Sequence, residues 1–180
     1  EVKEQATNHE LEIKYSSAKT WTDASLVAFQ LDYRNLTGTC TVSGGCLGQM
    51  QDRGFNGGRA RVSGIEAQVA QGVQWGTVFL PLRANATVLQ ANFASDFEST
   101  SPEWGIGSIR SGDPLPYVPN AIYSVSIGAE WRKVKQDLTI SYQSQVYDQS
   151  AEVDRQEIEG YGSVDWSAHY ALSKNVPVLG

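Results

Sequence analysis

The sequence predicts an all-β fold, an antiparallel meander of about seven long strands. Three observations carry this. Period-2 alternation of apolar and polar residues recurs along the chain while helical periodicity stays weak. The links between alternating segments switch between short and long, Gly-rich ones. Several segments are also longer than the five or six residues usual for strands of soluble sheets.

In the first segment Leu11, Ile13 and Tyr15 alternate with Glu10, Glu12, Lys14 and Ser16. After the short link at Ser17 to Thr20, Val27, Phe29, Leu31 and Tyr33 alternate with Ala28, Gln30 and Asp32. A long link, Asn35 to Gly58, leads to Ile65, Ala67 and Val69, set between Gly64, Glu66, Gln68 and Ala70. The next link, around Gly72 to Leu82, reads as somewhat longer than a tight turn, and Leu89, Ala91 and Phe93 form the fourth segment. Glu98 to Leu115 is the second long link. Tyr123, Val125, Ile127, Ala129 and Trp131 follow, then a tight turn at Arg132 to Val134, then Leu138, Ile140, Tyr142, Ser144 and Val146. Asp148 to Gly160 is the third long link, and Val164, Trp166, Ala168, Tyr170 and Leu172 make the last segment. With every tight turn at one end and every long loop at the other, the pattern has the asymmetry of a transmembrane barrel wall.

Composition narrows the function classes. The chain has 180 residues, 14 Lys+Arg against 20 Asp+Glu and a formal net charge of −6. That balance, without a Lys/Arg cluster, argues against a nucleic-acid partner. Two Cys and two distant His, His9 and His169, do not make a tetrahedral zinc site, so neither a metal nor another cofactor is expected. No apolar run approaches the roughly 18 residues of a membrane helix, a test to which barrel strands are blind. Glu1 is not an initiator Met and no charged-then-apolar leader follows it, so no targeting segment is expected within the chain. The chain stops at Val176-Pro177-Val178-Leu179-Gly180, which reads as a new apolar stretch cut short.

Reach favours a membrane wall. Trp21 to Tyr33 spans roughly 40 Å as a strand, and tilted by about 45° it rises roughly 28 Å, close to the hydrocarbon thickness. Trp21, Trp75, Trp131 and Tyr170 fall near the short turns. Tyr33, Phe97, Tyr117, Tyr147 and Tyr161 fall near the long loops, so two aromatic belts are expected. Phe29, Leu31, Ile127, Ile140 and Trp166 are expected on the outward side of one curved sheet. Glu12, Gln30, Asp32, Glu66, Gln68, Gln90, Asn92, Glu130, Gln143 and Gln145 are expected on a wet inner side. The competing reading is a soluble β-sandwich acting as a lectin-like or adhesive module, which would bury the apolar set between two sheets.

Asn56-Gly57-Gly58-Arg59-Ala60-Arg61-Val62-Ser63-Gly64-Ile65-Glu66 resembles the "N-x-G-x-x-x-x-x-G-x-E" signature of TonB-dependent outer-membrane receptors. Asn8-His9-Glu10-Leu11-Glu12-Ile13-Lys14-Tyr15 resembles their "N-y-E-l-G-x-K-y" strand, with Glu12 where Gly is more usual. Val27-Ala28-Phe29 through Asp32-Tyr33-Arg34-Asn35 is similar to "a-x-F-x-x-d-Y-x-N", and Gly112-Asp113-Pro114-Leu115-Pro116-Tyr117-Val118-Pro119 to "G-x-x-l-P-y-v-P". Asp165-Trp166-Ser167-Ala168-His169-Tyr170 is similar to the "v-d-x-x-a-x-Y" strand. The ordered set spans nearly the whole chain. The resemblance implies that residues 1–180 are about seven consecutive strands from the C-terminal part of a barrel of about 22 strands, without its plug domain and final strands. It further implies uptake of a ferric siderophore, of the ferric-citrate kind, or a similar scarce ligand across the bacterial outer membrane. The implied partners are the lipid membrane and the TonB–ExbB–ExbD energy system, reached through the plug, and the wall performs no chemistry of its own.

Candidate sites follow from that reading. Arg53, Arg59, Arg61 and Arg110 lie in or beside the long loops, where planar guanidinium forks could take carboxylates or catecholates of an anionic chelate. The alternative for each is a solvated loop or lumen charge. Cys40 and Cys46 bracket Thr-Val-Ser-Gly-Gly, and an oxidising compartment favours a disulfide between them over two free thiols. Asp96 and Glu98 read as a solvated rim rather than a glycosidase pair. Asn35 and Asn85 begin glycosylation sequons without meaning in a bacterial chain. No nucleophile elbow occurs, and no catalytic residue is assigned.

Overall fold

The computed structural model describes residues 3–39, 54–153 and 155–172. Cys40, Cys46, Arg53 and the closing Val176–Gly180 stretch lie outside these residues. Among the described residues there is no helix. Seven strands form one antiparallel sheet in chain order: β1 Gln5–Ser17, β2 Thr22–Arg34, β3 Arg59–Trp75, β4 Val78–Phe93, β5 Ala121–Trp131, β6 Val134–Gln143 and β7 Tyr161–Tyr170. Each pairs only with its sequence neighbours, so β1 and β7 are unpaired edges of an open sheet. Each long loop starts and ends with a two-stranded ribbon: Thr37–Thr39 with Gly54–Asn56, Phe97–Ser99 with Gly107–Ile109, and Val146–Tyr147 with Glu157–Ile158.

The link between β3 and β4 is tighter than the sequence suggested. β3 runs to Trp75, β4 starts at Val78, and only Gly76 and Thr77 join them. Gly72 and Pro81, which read as loop residues, face each other inside the hairpin. Pro81 has no N–H to give, and the β4–β5 pairing is interrupted between Phe79 and Leu82, where the ladder resumes.

The register fixes which side chains share a face, because directly paired residues point the same way. One row crosses all seven strands as Tyr15, Ala24, Val69, Ala84, Val125, Ile140 and Val164. The adjacent row, on the opposite face, reads Lys14, Ser25, Gln68, Asn85, Ser124, Ser141 and Ser163. One is wholly apolar and the other wholly polar. The apolar face is bare: Ile13 is 64% exposed, Ile65 53%, Trp75 77% and Trp166 68%. A sandwich would have covered these residues with a second sheet, so the sandwich reading fails. On β3 the banded-face residues from Ile65 to Trp75, apolar except for Gln71, cover about 33 Å of strand and, at a tilt of about 40°, about 25 Å of height, the band an outer-membrane wall presents to lipid.

Two sequence expectations fail on register. Ile127, Ile140 and Trp166 lie on the banded face, but Phe29 and Leu31 lie on the other. Phe29 pairs with Glu10 and Gly64, and Leu31 with Asn8 and Val62. Conversely, Gln30, Asp32, Gln90 and Asn92 share the banded face, above the band. Alternation within a strand gives the period, but only pairing with the neighbour gives the phase. In β1 to β4 the two faces exchange polarity partway up. Near the turns the banded face is apolar and the opposite face polar; near the loops the banded face is polar and the opposite face carries Phe29, Leu31, Val62, Leu89 and Phe93.

The aromatic belts are corrected in the same way. Trp75, Val78, Trp131, Val134 and Tyr170 form one row at the tight turns, a true lower belt. Trp21 is opposite Gly72 on the inner face, edge-on to Phe79 with centroids 5.0 Å apart. At the upper level Tyr123 and Tyr142 stack on the banded face, 6.3 Å apart and 13° from parallel. Tyr161 belongs to the inner face, while Tyr33 and Phe97 pack in a core described below.

Candidate ligand mouth and lumen face

The inner face divides by height. Its lower part carries Glu12, Lys14, Ser16, Asp23, Ser25, Gln68, Arg83 and Asn85, seven of which, all but Glu12, line a hollow of about 340 Å³. Ser16 donates to Asp23 Oδ1 at 2.6 Å, and Lys14 pairs with Glu12 at 2.9 Å. These are groups that need water or polar partners, so this part suits a wet lumen.

At its upper end the inner face is roofed by the loops. Ala60, Phe93, Ile109 and Ala151 are buried, with Tyr33, Leu36, Phe97, Trp104 and Leu115 packed against them. Phe93, Phe97 and Trp104 form a mutual edge-to-face triad with centroids 5.1, 5.3 and 5.8 Å apart. Trp104 also joins all three loops. Its six-membered ring lies where a Cβ on Gly57 would sit, at 2.2 Å, so a side chain there would displace it. Gly57 N donates to Leu36 O at 2.7 Å, tying the first loop's two limbs. From the third loop, Ser150 N and Ala151 N both donate to Trp104 O at 2.9 Å. Arg155 adds a 3.5 Å pair with Asp113 and lies over the Tyr147 ring at 5.2 Å.

The Asn-x-Gly signature is the hinge of this mouth. Asn56 Oδ1 accepts from Gly58 N at 2.7 Å, and Asn56 Nδ2 donates to Asn35 Oδ1 at 3.1 Å. Gly58 has φ +76° and a Cβ there would meet Ser95 Oγ at 2.1 Å, the same hydroxyl that accepts from Arg59 N. Both the backbone angle and the space favour glycine. Gly58→Ala is therefore expected to destabilise the mouth by about 1–2 kcal/mol. The check is a lower melting temperature, with Asn56→Ala lowering it in the same direction.

The structure scatters the predicted arginines. Arg59 and Arg61 are on the banded face, not in the lumen, because odd-numbered residues of β3 share the face of Ile65 and Val69. Arg61 Nε donates to Asp32 Oδ1 at 2.7 Å, and Gln30 donates to Asp32 Oδ2 at 2.7 Å. The Gln30 amide, then Arg61, hold the Asp32 carboxyl below its usual range; this part of β2 lies above the apolar band. Arg110 stays exposed at the mouth, its backbone N–H held by Asp113 Oδ2 at 2.8 Å. Asp96 accepts from Ser111 N at 2.7 Å, so it caps a turn rather than pairing with Glu98. Trp104, the residue that organises the mouth, was missed because nothing in its flanking sequence marks a loop aromatic as buried. Among the described residues no cluster of His, Cys, Asp and Glu could hold a metal ion.

An open sheet with an apolar band, a polar inner row and loops folded over one end is a section of transmembrane β-barrel wall. The family described as "TonB dependent receptor-like, beta-barrel" matches residues 3–179, and the chain belongs to that family. Its fold is similar to the crystal structure of the ferric yersiniabactin uptake receptor FyuA from Yersinia pestis, with a TM-score of 0.66 and 18% identity. The similarity covers 93% of this chain and 22% of that one, so this chain spans about a fifth of that receptor's length. No curated protein matches the sequence.

Proposed function

We propose that this chain is a wall section of a bacterial outer-membrane receptor that takes up a scarce ligand, a ferric siderophore or a similar chelate, by TonB-dependent transport. The bare apolar face backed by an all-polar row is the observation that carries the reading, since a soluble sheet with the same two rows would cover the apolar one, whereas a wall in lipid leaves it open. Family membership and the fold of a ferric-siderophore uptake receptor support the cargo class. In this reading the two unpaired edges, β1 and β7, are completed by further strands of a longer barrel, because free edges and a bare apolar face are not stable in water. Cargo meets the roofed mouth first. The ExbB–ExbD–TonB system then supplies the energy for its passage, acting on a plug outside the described wall. Of the described arginines in or near the loops, Arg110 is the exposed one that is not on the banded face, and so the one to meet an anionic chelate, and Cys40 and Cys46 would close the tip of the first loop as a disulfide.

The test is radioiron uptake by cells expressing the whole receptor. Uptake should need both the receptor and an intact TonB, and Arg110→Gln should weaken cargo binding about fivefold. Uptake independent of TonB would overturn the mechanism.

A further inference from the structure

We infer that Asn56 is a site of spontaneous deamidation, which the closed mouth holds inactive and which opening of the three loops releases. The inference goes beyond the transport reading, since it needs only the geometry of the mouth. Asn56 is the one asparagine of the chain that is followed by glycine. That pairing matters because the reaction is an attack by the next residue's backbone nitrogen on the side-chain carbonyl carbon, and a residue without Cβ shields that nitrogen least. Gly57 N gives up its proton and bonds to Asn56 Cγ, the Cγ–Nδ2 bond breaks, and Nδ2 leaves as ammonia with a proton in exchange. Water then opens the five-membered imide at either carbonyl, which gives aspartate or isoaspartate.

The mouth holds one half of this reaction ready and withholds the other. Gly58 N donates at 2.7 Å to Asn56 Oδ1, the oxygen on which negative charge develops when Cγ is attacked, so a donor already stands where the oxyanion needs one. The nucleophile is tied down. Gly57 N donates to Leu36 O at 2.7 Å, and Leu36 N donates back to Gly58 O at 3.1 Å. Gly57 is buried behind the Trp104 ring, although Asn56 itself is exposed. A hydrogen-bonded backbone N–H kept from water does not give its proton to base until the structure opens locally. The two bonds differ in range. The bond from Gly58 N to Asn56 Oδ1 spans two residues and survives separation of the loops, whereas the bond from Gly57 N to Leu36 O joins the two limbs of the first loop and is lost. Lifting the roof therefore frees the nucleophile and leaves the polarised carbonyl in place. The change runs one way. Asn56 Nδ2 donates to Asn35 Oδ1 at 3.1 Å, and a carboxylate oxygen in its place would set one acceptor against another. Isoaspartate also adds a methylene to the backbone before Gly57, which moves Gly57 N off Leu36 O.

The experiment incubates the whole receptor in detergent micelles in mildly alkaline buffer. Mass spectrometry of the peptide that contains Asn56 reads the change from amide to acid with time, and isoaspartyl methyltransferase labelling reads the isoaspartate. The folded parent should deamidate at Asn56 at least about 10²-fold more slowly than the same receptor unfolded in urea. Trp104→Ala should accelerate the reaction in the folded receptor by roughly 10²-fold, in step with hydrogen exchange at the Gly57 amide. Asn85, which is followed by Ala and lies in β4, should stay intact in both. Trp104→Phe, which keeps a ring at the junction, should fold and accelerate the reaction by a smaller factor, so the inference remains testable if the alanine variant does not fold. Equal rates in the folded and unfolded parent would show that the mouth does not hold the site inactive, and would overturn the inference. A rate unchanged by the Trp104 variants while exchange at Gly57 quickens would also overturn it, since freeing the nucleophile would then not release the reaction.

Discussion

Ile127→Arg is expected to cost about 2–4 kcal/mol when the whole receptor folds into a bilayer, whereas Ser124→Arg on the same strand is expected to cost under about 0.5 kcal/mol. The two positions have opposite parity and so opposite faces. Ile127 lies midway between Tyr123 and Trp131, flanked by Leu82 and Leu138 on the bare apolar face. Ser124 lies in the polar row between Asn85 and Ser141, where a guanidinium finds water and polar partners. Desolvating a charge in hydrocarbon separates the two results, since strand propensity and backbone pairing are nearly the same for both. The measurement is the unfolding free energy in denaturant titrations of receptor in liposomes. Equal costs at the two positions would mean that the banded face does not meet lipid.

Trp104→Ala is expected to release the roof of the mouth while leaving the wall intact. The indole contacts Phe93 and Phe97 and backs Gly57, and its removal leaves a void at the junction of three loops. The loss is about 3 kcal/mol, at the lower end for a large aromatic because Trp104 is not fully buried. Amide hydrogen exchange of the whole receptor reads this locally. Exchange at Leu36, Gly57, Ser150 and Ala151 should accelerate by roughly 10²-fold, with the wall amides of Val125 and Ile140 unchanged. Unchanged protection at those four amides would show that the loops are held by something other than this side chain. Acceleration throughout the wall would show that mouth and wall unfold as one unit. The separation is expected because the mouth joins the wall mainly through Tyr33, Ala60 and Phe93 at the upper ends of β2, β3 and β4.

The architecture of this protein was legible in its residues to an unusual depth. Alternation gave the seven strands, and the switch between short and long links gave a meander with turns at one end. Trp75, Trp131 and Tyr170 marked the lower membrane boundary. The ordered set of short motifs around Asn56, Gly64 and Glu66 pointed to the family. All of these are local properties, written in a few consecutive residues, and each strand carries its own copy.

What the chain could not reveal by itself is phase. Phe29 and Leu26 are both apolar residues on one alternating strand, and nothing within β2 says which of them meets lipid. Only the pairing of Leu26 with Ile13 and Ala67, and of Phe29 with Glu10 and Gly64, assigns them to opposite faces. The same pairing moved Arg59 and Arg61 from the lumen to the outside, and with them any role they have. Packing across the loops is equally non-local. Trp104, Gly57 and Ala151 are far apart in sequence and become one site only when three loops fold over the same end of the sheet. Periodicity is set by the backbone of one strand, and the sequence therefore determines it. Facing and roofing are set by which strands and loops become neighbours, and only the tertiary structure decides them.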